Sequence, residues 1–330
     1  MNEQIDFLAI GDIVTDAFIR VNDATVTADA DGSHPMLSFR YGEKVPFDSM
    51  EEVRAVGNSA NAAVSAARLG LKSALLANVG KDIQGQSCLD ELKKNNVSTE
   101  FVFSHEGIPT NYHYVLWHDV ERTILVKQQK YPTNFPEMTQ PPKMIYLSSL
   151  GNDTEEYHHQ IASYIVANPE IKLIFQPGTF QMKLGIEILK DIYANTYAFF
   201  CNLEEAQLIT NNPTHEVDTL ISAIHALGPK IVCITDGMKG AYASDGTQQW
   251  FMPVYPHDPY ERTGAGDAFA STVSAALLMG KSIPEALKWG PINSMSVVQF
   301  VGAQKGLLTE AVLEKYLAEA PADYVPKIVA

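Results

Sequence analysis

Six short apolar runs constrain this chain more than any other feature: 5–11 (IDFLAIG), 73–79 (SALLANV), 143–148 (KMIYLS), 171–176 (IKLIFQ), 197–201 (YAFFC) and 230–235 (KIVCIT). A continuous apolar run of this length reads as a strand buried on both faces, the form taken in parallel sheets. Helical patterns fall between several of the runs, at 58–69, 83–95, 154–167, 182–194 and 204–226, the last broken at Pro213. Strand and helix in alternation predict an α/β fold of three layers, a mostly parallel central sheet covered by helices on both sides. The C-terminal third reads as helix at 266–279, 284–301 and 309–319, with Gly280 and Gly302 as C-caps and Pro284 at a helix start. Helix 58–69 has Asn58 or Ser59 as its expected N-cap, and its alanine-rich face predicts close packing.

Two stretches break the rhythm. Residues 17–56 and 100–131 carry β-rich segments separated by turn residues (FIRVNDATVTA, MLSFRY; FVFSH, YHYVLW, RTILVKQ), and they predict a small β-sheet lid projecting from the main sheet. Internal repeats, low-complexity tracts and linkers are not evident in the sequence. The expectation is therefore a single domain over 1–330 with the lid inside it, and an exposed lid edge offers a route to a homodimer.

Charge narrows the partners. With 24 Lys+Arg against 39 Asp+Glu, the net charge of −15 disfavours nucleic acid and anionic membrane surfaces. Cys88, Cys201 and Cys233 are few, odd in number and far apart, which leaves no disulfide framework and no Cys-x-x-Cys metal site. The first residues lack the charged and apolar regions of a secretory leader, and no run of 18 apolar residues occurs, so the expected location is cytoplasmic.

The chemistry concentrates in Glu261-Arg262-Thr263-Gly264-Ala265-Gly266-Asp267-Ala268-Phe269. Gly264 and Gly266 permit a sharp turn and a close approach to a ligand. The amides of Ala265, Gly266, Asp267 and Ala268 are expected as unpaired donors at a helix start, a ready site for an anion such as a transferring phosphoryl group. Asp267, inside that turn, can accept a proton from an attacking hydroxyl. The plainer alternative makes Asp267 a first-turn acidic residue of a capped helix.

As a whole string, this segment resembles the second signature of the ribokinase (PfkB-type) carbohydrate kinase family, D-x-T-G-A-G-D, with Glu261 where that family has Asp. The resemblance continues elsewhere in the chain. GDIVTD at 11–16 is similar to the family's opening substrate-hydroxyl motif, which implies substrate roles for Asp16 and Asp12; Val14 stands where ribokinases proper have Asn. Val56-Gly57-Asn58-Ser59-Ala60-Asn61 resembles the first signature, with Gly57 and Asn61 matching, Val56 replacing the first glycine, and Asn58 a further substrate candidate. Asn202-Leu203-Glu204-Glu205 is similar to the N-x-x-E motif that organises Mg²⁺ near the phosphates, and it also reads as an N-cap box; the two readings are compatible. Thr235-Asp236-Gly237-Met238-Lys239-Gly240 resembles the T-x-G-x-x-G loop beside ATP, and Asn293 matches a position facing the adenine side.

The resemblance implies a ribokinase-like sandwich and transfer of the γ-phosphate of Mg·ATP to a hydroxyl of a small sugar or sugar-like substrate. Asp267 would be the general base and the 264–267 backbone the anion hole, with K⁺ a further cofactor of the family. A nucleoside (adenosine-type) kinase is the alternative, with Phe39, Tyr41, Tyr112, Tyr114 and Trp117 available to stack on a base. A non-catalytic sugar or nucleotide sensor is the third reading. Gly280-Lys281-Ser282 imitates a P-loop but follows a helix, whereas a P-loop precedes one. His158-His159 is expected at a surface or interface rather than on a metal.

Overall fold

The computed structural model describes residues 4–28, 35–119 and 121–329. The six apolar runs become the parallel strands Phe7–Ile10, Ser73–Gly80, Met144–Leu147, Lys172–Phe175, Thr196–Asn202 and Ile231–Thr235. They lie in one sheet, with Phe7–Ile10 between Ser73–Gly80 on one side and Met144–Leu147 on the other, and the remaining three following outward in chain order. Antiparallel strands Ala241–Ser244, Gln249–Met252 and Lys327–Ile328 extend that edge.

Alternate residues of each strand feed two separate cores. Phe7, Ala9, Leu75 and Tyr146 pack with the helices Asn58–Arg68, Ala265–Leu278 and Ile283–Val297. Leu8, Ile10, Leu76 and Ile145 pack on the opposite face with Glu155–Ala167, Ile186–Ala194, Leu203–Thr210 and Val217–His225. This is the three-layer arrangement the runs predict. Phe7–Ile10 and Met144–Leu147 stay paired to their ends, and the chain then leaves them for helices on opposite faces of the sheet, Asn58–Arg68 and Glu155–Ala167. Open α/β sheets bind ligands in the crevice at such a point.

Over the crevice lies a second sheet, in the order Glu121–Leu125, Tyr112–His118, Val14–Arg20, Ser49–Val56. It is antiparallel except where Val14–Arg20 and Tyr112–His118 run parallel. The ribbon Thr25–Ala28/Pro35–Ser38 stands apart. The lid differs from expectation at two points. Its first strand starts at Val14, and Val102–His105 joins the main sheet beside Ala77–Gly80 instead of the lid. Backbone pairing with an open edge outweighs the aromatic alternation of FVFSH.

Helix ends show where side-chain pattern is insufficient. The 182–194 segment divides at Gly185, whose φ of 82° stops one helix and starts the next. Gly280 follows a helix end as anticipated, with φ 87°. Gly302 is not a cap: the helix ends at Val297, and Gly302 is small because a Cβ there would lie 2.9 Å from Val53. Gly57 is the N-cap of Asn58–Arg68, and Asn58 opens the helix proper. The false P-loop resolves into a boundary, with Ser282 and Glu285 forming a capping box for the next helix. Among the described residues no helix is long and apolar enough to cross a membrane.

Candidate active site

Where the central strands end and the lid begins, a cavity of about 430 Å³ opens. The C-terminal ends of the first, third and fifth central parallel strands in chain order, and the loops that leave them, contribute Asp12, Ser149 and Asn202. From the lid come Asp16, His113 and Arg122, and from the C-terminal signature Gly264 through Asp267.

At that signature the backbone turns at Gly264, with φ 82°, and the helix Ala265–Leu278 begins at once. Alanine at 264 would place a Cβ 2.3 Å from the Ala303 methyl, so glycine is needed for space as well as for conformation. The first intrahelical bond runs from the Ala268 amide to the Gly264 carbonyl at 2.9 Å. Ala268 is thereby removed from the expected set of open donors. The amides of Ala265, Gly266 and Asp267 remain as the first helical N–H groups, and their residues line the cavity.

Asp267 is held from both sides. Asn61 Nδ2 donates to Oδ2 at 2.8 Å and Gln176 Nε2 donates to Oδ1 at 3.2 Å. Each holder is itself fixed: Gln304 Nε2 donates to Asn61 Oδ1 at 3.0 Å, and the Tyr146 hydroxyl donates to Gln176 Oε1. Asn61, expected to touch substrate, therefore uses its carbonyl and one amide proton to position the carboxylate. Burial raises the pKa of Asp267, opposed by the bonds from Asn61 and Gln176 and by the charge of Arg122. A raised pKa makes a carboxylate a better proton acceptor.

The other end of the cavity holds Asp12 and Asp16. Asp12 accepts a bond from Gln128 Nε2, and burial pushes its pKa up to about 7 despite that bond and another from the Gly151 amide. Asp16 stands 3.4 Å from His113 Nδ1, its neighbour across the parallel strand pair. Gly57, at φ 113°, packs so closely that a Cβ added there would lie 2.7 Å from the Asp12 carbonyl oxygen; Asn58 lines the same wall. Because the folded pKa of Asp12 lies above its ordinary value, its ionisation costs stability progressively as pH rises from about 4 through about 7. Asp12→Asn should therefore raise the melting temperature at pH 8, and the gain should vanish below pH 4. A thermal-shift series over that range reads this directly.

On the far side, Asn202 and Glu205 form a reciprocal box: Asn202 Oδ1 accepts from the Glu205 amide at 2.8 Å, and Glu205 Oε2 accepts from the Asn202 amide at 2.9 Å. Burial raises the pKa of Glu205. Both residues line the cavity. Among the described residues no group of three or more His, Cys, Asp and Glu is placed to hold a metal. A lone carboxylate beside a phosphate site suits Mg²⁺, which keeps several waters and takes phosphate oxygens. Glu261 has little left to offer a monovalent cation. It is fully buried, and its two oxygens already accept from the Thr263 amide (2.8 Å), the Thr263 hydroxyl (2.6 Å) and the Gly302 amide (3.4 Å). No step below is routed through K⁺.

A second, smaller cavity adjoins the first beyond Ala265 and Gly266, lined by Thr235, Gly237, Met238, Gly240, Pro291 and Ser294 among others. Asp236 turns aside to pair with Lys239 at 3.1 Å. Asn293 does not face this space. It is fully buried, donates to Thr272 Oγ1 at 2.7 Å and accepts from the Leu308 amide at 2.9 Å, so it ties two helices to the following loop.

The pfkB family carbohydrate kinase model matches residues 26–310. This chain belongs to that family. It is an ATP-dependent carbohydrate kinase. It is 30% identical to a ribokinase of Bacillus subtilis over 291 residues, spanning 84% of this chain and 92% of that protein. Its fold is similar to that of Arabidopsis thaliana ribokinase complexed with ribose and ATP (TM-score 0.79, 20% identity, 96% of this chain and 99% of that one). The nucleoside kinase of Methanocaldococcus jannaschii gives a TM-score of 0.77 at 19% identity, with 96% and 99% covered.

Several residues of the kinase cavity escaped sequence reasoning. Arg122, Ile124, Val126 and Gln128, at every second position, all line it. One face of an extended segment thus roofs the site from the transfer end to the Asp12 end. Arg122 Nε is buried without a hydrogen-bond partner, while its neighbour Glu121 bonds Arg262 at 2.8 Å and fastens the lid to the signature loop. The five aromatic residues suggested for base stacking do not line the cavity. Trp117 packs instead under Arg20 (4.7 Å) and against Tyr260, and the Tyr112 hydroxyl donates to Glu52. His158 is not at a surface: it is buried, with Nδ1 2.7 Å from the Thr154 carbonyl and Nε2 3.0 Å from Gln181 Nε2.

Proposed function

We propose that the kinase transfers the γ-phosphate of ATP to a hydroxyl of a small sugar or sugar-like acceptor, with Asp267 as general base and the 264–267 backbone as anion hole. One observation carries this reading. A carboxylate of raised pKa, clamped by two amides, stands on the first turn of a helix whose leading N–H groups line the same cavity.

The acceptor lies between Asp12/Asp16 and Asp267, and the nucleotide reaches in from the Thr235–Gly240 side. As the acceptor oxygen forms its bond to the γ-phosphorus, its proton passes to Asp267, the bond to the β-phosphate oxygen breaks, and ADP departs with that electron pair. The amides of Ala265, Gly266 and Asp267 meet the charge on the phosphoryl oxygens, where each preorganised donor is worth about 10²–10³ in rate. Arg122 meets the same charge from the lid, its guanidinium without an ion pair among the described residues. Mg²⁺, when bound beside Glu205, neutralises the phosphates. The lid keeps water from competing with the acceptor.

Acceptor-dependent ADP release, with the phosphorylated product followed by ³¹P NMR, tests this. ADP formation that ignores every sugar and nucleoside offered would overturn the reading, whereas acceptor-dependent release dismisses a non-catalytic sensor. Glu205→Gln is expected to raise the Mg²⁺ concentration needed for half-maximal rate by about 10–100-fold. A magnesium titration with unchanged midpoint would remove Glu205 from the metal's surroundings.

A further inference from the structure

The two amides that hold Asp267 differ in freedom. On the Oδ1 side Gln176 is met by the Tyr146 hydroxyl. A hydroxyl can donate or accept, so that amide can turn over and stay bonded. On the Oδ2 side it cannot. Asn61 Nδ2 donates to Oδ2 at 2.8 Å, Asn61 Oδ1 accepts from Gln304 Nε2 at 3.0 Å, and the same Nε2 donates to the Ala55 carbonyl at 2.7 Å. A backbone carbonyl only accepts. Ala55 therefore fixes which end of the Gln304 amide faces inward, Gln304 fixes which end of Asn61 it meets, and Asn61 is left with its N–H toward the carboxylate. Inverting either amide sets oxygen against oxygen or N–H against N–H.

Both anchors of this series are built into the fold. Ala55 lies near the end of the lid strand Ser49–Val56, where the register passes from Asp16↔Val53 to Val14↔Val56 and the strand carries an extra residue. Ala55 is fully buried there at φ 57°. A bulge re-aims the backbone, and a positive φ in a buried alanine persists only where its surroundings fix it. Gln304 is buried too, and its own carbonyl accepts from Arg68 Nη1 at 2.7 Å. Arg68 also holds the Leu307 carbonyl and Asn95 Oδ1, each at 2.8 Å, so the segment carrying Gln304 is clamped to the far end of helix Asn58–Arg68. The residue before Gln304, Ala303, is the one that packs against Gly264.

Resting on the reading of Asp267 as general base, we infer that Gln304 is a positioning residue of the transfer step: it holds the Asn61 amide in the one orientation that keeps Oδ2 of Asp267 an acceptor, and it ties that orientation to the lid strand through Ala55. Burial raises the pKa of Asp267, and the bonds from Asn61 and Gln176 oppose it. An Asn61 amide free to turn would leave the carboxylate protonated to higher pH. The other charged or titratable groups coupled to Asp267 are Arg122 from the lid, Glu205 from the Asn202 box and Tyr146 from the central sheet. A substitution at Gln304 alters none of them.

The test uses the full chain, Mg·ATP and the best acceptor of a panel of free pentoses, hexoses and nucleosides, with ADP release followed across pH. Gln304→Met keeps the length of the side chain and removes both donated bonds. It should lower kcat at pH 7 by about 10–100-fold, the scale of a misplaced catalytic group, with KM for ATP and acceptor held within a fewfold. The acid limb of the kcat profile should move to higher pH. A lower kcat with that limb unmoved makes Gln304 a structural support only and overturns the inference, as does a change confined to KM or no change at all. Asp267→Asn, assayed alongside, separates the two readings. Lost turnover in Asp267→Asn beside an unaffected Gln304→Met overturns the inference alone, whereas wild-type turnover in Asp267→Asn removes the general base and the inference with it. Gln304→Met leaves the buried Ala55 carbonyl unpaired, and should it fail to fold, the unaltered protein carries the test. With asparagine labelled by ¹⁵N, the Asn61 side-chain amide, assigned by its loss in Asn61→Asp, should exchange its protons at least about 100-fold more slowly than an exposed asparagine. Exchange as fast as at an exposed asparagine overturns the inference.

Discussion

Asp267→Asn is expected to lower kcat by about 10²–10⁴ while nucleotide affinity stays close to that of the unaltered protein. The substitution keeps size and removes the proton acceptor. It also sets an amide against donors on both sides, since Asn61 and Gln176 each present an N–H to the carboxylate. Gln176 can turn its carbonyl toward the new amide, with the Tyr146 hydroxyl, which now donates to that carbonyl, then accepting from Nε2. In the proposed mechanism nucleotide binding draws on the turn amides and the Thr235–Gly240 loop, which the change leaves in place. Folding should not suffer either. The pKa of Asp267 is raised by burial, so its ionised form costs stability above its ordinary titration range, and asparagine relieves that cost. The melting temperature at pH 8 should therefore equal or exceed the wild-type value, with any gain shrinking toward pH 4. Steady-state kinetics, nucleotide calorimetry and thermal shift on one preparation separate these effects. Turnover at the wild-type rate would remove Asp267 from the chemistry.

What the sequence discloses depends on how local the cause is. The Gly264 turn is written into its own short string, because the positive φ at the helix start favours glycine whatever packs against it. The central strands were legible for a similar reason: an unbroken apolar run has one economical fate, burial on both faces. The Asn202–Glu205 box spans three residues and is readable as such. The holders of Asp267 are not. Asn61 lies 206 residues away in the chain, and Gln304 reaches Asn61 across 243. No spacing rule connects them; only the packing of helix Asn58–Arg68 against Ala265–Leu278 does. Asn293 fails in the opposite direction, since a polar residue on a helix looks alike whether it faces a ligand or anchors Thr272 and Leu308. The roof formed by 122, 124, 126 and 128 was hidden because the intervening Thr123, Leu125 and Lys127 do not alternate cleanly in polarity.

Arg122→Met should cut kcat by about 10³-fold or more, the scale of losing an arginine that meets transferred phosphate. The argument is electrostatic. Arg122 is half-buried, its Nε is buried with no hydrogen-bond partner, and its charge already acts on the Asp267 carboxylate, so a cation stands ready in the cavity with bonding capacity unused. The anion expected within reach of both Arg122 and Asp267 is the phosphoryl group. Methionine keeps much of the aliphatic packing, and Glu121 and Arg262 still fasten the lid, so stability should change by no more than about 0.5 kcal/mol. Arg122→Lys should restore only part of the rate, because an ammonium cannot reproduce the planar fork that grips two oxygens. The decisive readout is which constant moves. A lower kcat with the acceptor KM held within a fewfold places Arg122 on the migrating group. A large rise in acceptor KM at unchanged kcat would instead place Arg122 in acceptor binding and take it off the migrating group.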